Sequence, residues 1–220
     1  MNDTAVTRYL YGMIIVPKFE LKYNEEKGIH TIISLTPCNC PLCGGAVYHR
    51  DHKGRDVKRM NGEVWHFNLR RLLCDNCKKL HTEIPDIIQP YKHYDTETIQ
   101  SVLDGGEKAK ECVADESTIS RWKADFARAE PDIEQRLASV CAQDTNEVTP
   151  LLTPGLAITA VRATIERWLA FVMHLLINAG HKLCTQFAFC PPYPCDRLHN
   201  AGTKSKGGYG EIVKTITDTG

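Results

Sequence analysis

Excess charge of either sign is missing from this 220-residue chain: Lys and Arg together number 27, and so do Asp and Glu. That balance excludes a whole-chain polyelectrolyte attraction to nucleic acid, so any such affinity must be local. Long apolar runs are missing too. The most apolar early run, Leu10 to Val16, is broken by Gly12 and stopped by Pro17, far short of the ~20 residues that span a bilayer. The longer stretch from Trp168 to Ile177 carries His174 and is flanked by Arg162 and Arg167, so no transmembrane segment and no membrane partner are expected. Met1-Asn-Asp-Thr-Ala-Val has no basic n-region. No signal peptide is expected, and a reducing cytoplasm is the expected compartment.

Catalytic signatures are absent as well. There is no P-loop, no dinucleotide glycine fingerprint and no Ser/His/Asp arrangement. A nuclease or transposase would need three carboxylates brought together around Mg²⁺ by strands and a helix. Here the carboxylates cluster on short central helices, and no RNase H-like sheet can be read after residue 95. The chain is therefore expected to be non-enzymatic, with no small-molecule substrate.

Cysteine, in contrast, is plentiful, at ten residues. Cys40-Pro-Leu-Cys43-Gly-Gly and Cys74-Asp-Asn-Cys77 are two CxxC pairs at a separation that lets four thiolates take the corners of a tetrahedron, the geometry of a structural Zn²⁺ ion. Gly44 and Gly45 stand where a metal knuckle needs positive φ. One structural zinc on Cys40, Cys43, Cys74 and Cys77 is expected, in preference to a thiol redox pair. Four thiolates leave no open position for water. Cys38 offers a fifth thiol and is read as a bystander, and His49, His52, His66 and His81 are substitutes in principle only.

Around these motifs the residues have strand chemistry. Met13 to Val16, Phe19 to Tyr23 and His30 to Leu35 are β-branched or aromatic, with a turn at Asn24 to Gly28. Val47 to Arg50 and Val64 to Leu73 are further strands, and Lys53-Gly54 and Asn61-Gly62 are turns. Strand, knuckle, strand, knuckle is the layout of a zinc ribbon. Between Tyr48 and His93 ten basic residues stand against six acidic ones, a modest bias of a kind that tracks phosphates. Arg70, Arg71, Lys78 and Lys79 are its candidate DNA contacts.

After Cys77 come Pro85 and Pro90, which forbid a helix and predict an extended connector. The run Arg70-Arg71-Leu-Leu-Cys74-x-x-Cys77-x-x-x-His81-x-x-Ile-Pro85-x-x-Ile-x-Pro90-Tyr91-Lys-x-Tyr94 is similar to the bacterial "domain of unknown function 6431", a family of cysteine-rich, transposase-like proteins. The resemblance covers about residues 38 to 130. It implies a ribbon joined to a helical DNA-binding unit with a link to mobile elements, and no established activity.

From Asp95 the apolar period lengthens to that of a helix. Asp95 or Thr96 caps a helix carrying Ile99, Val102 and Leu103, ended by Gly105-Gly106. A second helix is predicted from Glu107 to Val113 and a third from Ser117 to Ala129, with Ile119, Trp122 and Phe126 in a common core. Ala109, nine positions before Thr118, resembles the small residue of a helix-turn-helix. Ser117, Thr118, Ser120, Arg121 and Lys123 are then candidates to meet DNA. Two features depart from that pattern: Val113 fills the usual glycine position, and Asp95 to Glu134 holds eleven carboxylates against five bases.

Glu130-Pro131 reads as a boundary, and Ile158 to Leu176 mark the apolar face of one long helix, 154–180, ended by Gly180. So wide a face needs a partner, either the helical bundle of the same chain or a second copy, and a homodimer through it is an expectation. Cys184, Cys190, Cys195 and His199 match no specific metal spacing. The expected fold is α+β: a small N-terminal β zinc ribbon (1–94), a homeodomain-like helix-turn-helix bundle (95–130), a linker with a short helix (131–153), the long C-terminal helix (154–180) and a Cys/Pro/Gly-rich tail (181–220). The expected function is zinc-containing, transposase-related binding of duplex DNA. The alternative is a zinc-stabilised protein-interaction module.

Overall fold

A computed structural model of the chain describes residues 12–143 and 157–180. Six strands form one mixed sheet that curls into a half-barrel: β1 (Gly12–Val16), β2 (Phe19–Asn24), β3 (Ile29–Ser34), β4 (Val47–Lys58), β5 (Val64–Cys74) and β6 (Leu80–Pro85). Five helices accompany it: α1 (Thr96–Asp104), α2 (Glu107–Lys110), α3 (Glu116–Gln143), α4 (Ala157–Thr164) and α5 (Trp168–Asn178). None of them is long and apolar enough to cross a membrane.

β5 organises the sheet. Along one edge it pairs with β4 in a long antiparallel hairpin. Its other edge is shared, the first half pairing in parallel with β3 and the second half antiparallel with β6. A bulge places Arg50 as an extra residue between the His49–Leu72 and Asp51–Arg71 pairs. Opposite it, the buried residues of β5 change phase, from Phe67 and Leu69 to Leu72 and Cys74. Because side chains alternate across a strand, that change turns the second half of β5 toward the opposite face. The helices cover the first face, and the cysteines occupy the second.

The expected strands are present, with two differences. Lys53-Gly54 is not a turn but the middle of β4, which runs unbroken to Lys58. The proline-bounded connector contains β6, whose residues are nearly all buried because it lies between β5 and the parallel β1. The outer edge of β1 is closed by a side chain: Asn178 of α5 accepts from Ile15 N–H at 2.9 Å and donates to Ile15 C=O at 2.8 Å. One amide thus satisfies both backbone groups that a further strand would have paired.

The expected fold class does not form: in place of a small zinc ribbon there is a six-stranded mixed sheet that shares one core with the helices, and there is no helix-turn-helix bundle with a long C-terminal helix among the described residues. α2 is a single turn with no buried residue, so Ala109 has nothing to pack into a recognition helix. Val113 is exposed, and its N–H donates to Met60 C=O of the β4–β5 turn. The third helix does not end near Ala129 but continues through Pro131 for 28 residues. Pro131 removes one backbone hydrogen bond, yet Trp122, Phe126, Ala129, Ile133 and Leu137 are all buried along one stripe. That stripe holds the helix together across the proline.

The predicted single helix 154–180 is two helices broken between Thr164 and Trp168. Gln100 of α1 satisfies groups freed at the break, accepting from Leu169 N–H at 3.1 Å and donating to Glu166 C=O at 2.7 Å. The break also lets Trp168 Nε1 donate to Asp104 at 3.0 Å. Trp168, Leu169, Val172, Met173 and Leu176 are buried in the same core as Ile15, Phe67 and Ile84 of the sheet and Trp122 of α3. Of the two covers open to that apolar face, the same chain supplies one, through the sheet and α3.

Candidate metal centre

Each CxxC forms a tight turn between strands, and the two turns close alike. Cys40 N–H donates to Gly45 C=O, and Cys74 N–H donates to Lys79 C=O, both at 2.9 Å. In each, the residue after the second cysteine has a left-handed backbone, Gly44 at φ 70° and Lys78 at φ 55°. Asp75 N–H donates to Ala46 C=O at 3.0 Å and ties the knuckles together. Gly45 is required here because a Cβ at that position would lie 2.6 Å from the Asn76 side chain.

This geometry gathers the four sulfurs. All lie within 4.8 Å of one another, with Cys40–Cys77 at 3.6 Å and Cys43–Cys74 at 3.5 Å. Four thiolates about 2.3 Å from a tetrahedral ion stand about 3.8 Å apart, so the arrangement fits one metal ion. Cys40 and Cys74 are buried, Cys77 is half-buried and Cys43 is exposed.

The thiols differ in acidity. Burial pushes Cys40 up to about 12 and also raises Cys77. At Cys74 burial acts in the same direction, but hydrogen bonds from Cys77 N–H, the Cys43 thiol and Asn76 N–H outweigh it and leave the thiol at about 7. Four such groups do not ionise together unaided, and the field of a bound cation is what makes them a thiolate set.

The sequence reading missed the part played by His81. It is fully buried in β6, and its Nε2 lies 3.2 Å from Cys40 Sγ. Burial holds its pKa below the ordinary imidazole value. Its Nδ1 has no partner among the described residues, so the neutral ring is best satisfied with its proton on Nε2, directed at the sulfur. The ring packs on bare backbone at Gly12 of β1, where a Cβ would lie 2.3 Å from Nδ1. The Cys77-x-x-x-His81 spacing was the available signal. His49 and His52 are exposed and His66 pairs with Asp56, so none of the three stands among the sulfurs.

The other candidates are spread over the molecule. Arg70 makes a bidentate pair with Glu83, at 2.6 and 2.7 Å, and the Glu83 side chain is wholly buried. Arg71 pairs with Asp51 in the same manner. Lys78 reaches Asp75 at 3.4 Å, and Lys79 is half-buried. Ser117 and Thr118 donate to Asp115 at the start of α3, Arg121 bonds to Thr118, and Ser120 and Lys123 are exposed. Cys38 is half-buried near Glu83 and Arg70, with its thiol pKa raised by burial and then by Glu83. It lies outside the four-sulfur cluster. Cys184, Cys190, Cys195 and His199 lie outside the described residues.

Residues 40–122 match the family model described as "Domain of unknown function (DUF6431)". Over that span, which holds both knuckles, His81 and the sheet's central hairpin, the chain is similar to this family. No curated protein and no solved structure matches the chain.

Proposed function

We propose that the chain is a zinc-stabilised, non-enzymatic protein of a reducing compartment that binds duplex DNA through the outer strand β4. Zinc is the ion that four thiolates at tetrahedral spacing favour. A set closed by four sulfurs holds the ribbon together and offers no open position, so we assign the centre no catalytic step.

The observation that carries DNA binding is the outer strand. β4 exposes Tyr48, His49, Arg50, His52, Lys53 and Lys58, and its only exposed carboxylate is that of Asp56. β4 is an edge strand, paired along one side only with β5, and bases along such an edge supply phosphate contacts. Arg70 and Arg71 serve as struts to Glu83 and Asp51 in this reading, not as the first phosphate ligands. A relation to transposase-like systems is carried by the family resemblance alone.

Fluorescence anisotropy on a short duplex across a salt series tests the proposal. Binding with a negative log-log slope is expected, and the Arg50→Ala, Lys53→Ala double variant should reduce that slope by about 2. A slope near zero, or no binding at about 50 mM salt, favours the protein-interaction alternative, in which the exposed β4 edge docks a polypeptide.

A further inference from the structure

On the helix-covered face of the sheet, beside the loop 89–93, lies an open cleft of about 380 Å³ whose lining includes Lys53, Arg55, Asp56, Thr82, Lys92 and His93. Most of these charges are engaged. The Asp56 carboxylate is held by His66 Nδ1 at 2.7 Å, on the strand face opposite to Arg55. Lys92 Nζ reaches Asp125 at 3.4 Å.

Arg55 is different. Its Nη2 donates to Gln89 C=O at 2.7 Å and to Lys92 C=O at 2.8 Å. Among the described residues no carboxylate is paired with it, and Tyr91, in the same cleft, acts on it electrostatically. Arg59, Arg70, Arg71, Arg136 and Arg162, the other arginines drawn into the fold, each meet a carboxylate. Arg55 is half-buried, and a guanidinium partly withdrawn from water is better placed with an anion beside it. Burial depresses the Arg55 pKa, and Tyr91 opposes that shift only in part. Lys53, two positions earlier and on the same strand face, makes no ion pair among the described residues. The cleft thus combines two cations with no carboxylate partner among the described residues, a planar guanidinium and the hydroxyl-bearing Thr82. Those groups match a multiply charged tetrahedral oxyanion better than a monoanionic carboxylate.

We propose that this cleft binds a phosphate group between the Arg55 guanidinium and the Lys53 ammonium. The proposal goes beyond the DNA reading and stands without it, because a free phosphate and a backbone phosphate present the same chemistry. Inorganic phosphate, with chloride at matched ionic strength as control, is the probe for the full chain, read by thermal shift and by ³¹P line width. Phosphate should raise the melting temperature of the wild type and broaden its own signal saturably. Lys53→Gln, at an exposed position away from the metal centre, should leave the unliganded melting temperature unchanged and weaken phosphate about tenfold. Arg55→Gln should abolish the response; since Arg55 also latches the loop, its shift is read against the variant's own baseline. No response in the wild type overturns the proposal, and so does an equal response in the wild type and Lys53→Gln, which marks an adventitious ion only. With phosphate bound, displacement by a short duplex assigns the site to a DNA backbone, and retention assigns it to a small phosphate-bearing ligand. Intact phosphate binding without salt-dependent duplex binding refutes the DNA reading alone.

Discussion

His81 Nε2 stands 3.2 Å from Cys40 Sγ, joining a fully buried strand histidine to a sulfur of the candidate metal centre 41 residues earlier. An N–H directed at a thiolate fixes its orientation and spreads its charge, and removing such a partner typically costs ten- to a hundredfold in metal affinity. His81→Phe keeps a ring on Gly12 and loses the N–H. Zinc affinity by chelator competition should fall about tenfold or more, with stoichiometry unchanged. Unaltered affinity would leave His81 as packing only.

The paired knuckles predict two opposite substitutions. Gly44 and Lys78 occupy equivalent left-handed positions, a conformation costing about 1 kcal/mol for a residue with a Cβ. Nothing lies within 4 Å of a Cβ built at Gly44, so Gly44→Ala should cost about that amount through backbone strain alone. Lys78→Gly should gain a similar amount, since its exposed pair with Asp75 contributes little. Denaturant midpoints of the zinc-loaded proteins check both signs, and a destabilised Lys78→Gly contradicts the argument.

Leu137 tests the continuity of α3. It is completely buried six residues beyond Pro131, so Leu137→Ala should cost about 2–4 kcal/mol of unfolding free energy. A loss below about 0.5 kcal/mol is what an exposed linker residue gives, and would mean that the helix stops at the proline.

What could be read beforehand was local. The CxxC pairs, the Asp95 cap and the Trp122 core position each depend on a few neighbouring residues, and each is present. The parallel pairings of β1 with β6 and of β3 with β5 join segments far apart in the chain, and alternation alone does not record them. Pro131 signalled a boundary, but its local cost is offset by a buried stripe whose partners lie on other elements. The break before Trp168 depends on the Gln100 side chain, 66 to 69 residues away. Arg70 and Arg71 looked like DNA contacts because their carboxylate partners come from other strands, and Arg55 escaped notice for the converse reason, the absence of a carboxylate partner among the described residues.

Asp115 gives a pH dependence. Ser117 Oγ–H and the N–H and hydroxyl of Thr118 donate to its carboxylate and hold its pKa at about 2, below the ordinary value of about 3.9. A depressed folded-state pKa contributes stability that is fully present above the unfolded value and is lost as pH falls through the folded one. The melting-temperature difference between wild type and Asp115→Ala should therefore be constant above about pH 5 and shrink from about pH 4 toward pH 2. A carboxyl titration midpoint near the ordinary value contradicts the cap.

The metal content of the purified full chain, set beside that of Cys74→Ser, tests the central claim most directly. One zinc per chain is expected, bound with β-sheet circular dichroism that collapses on chelation, and both should be lost in Cys74→Ser. A wild type that holds no zinc, or a Cys74→Ser protein that keeps one zinc and an intact sheet, would contradict a structural ion on Cys40, Cys43, Cys74 and Cys77.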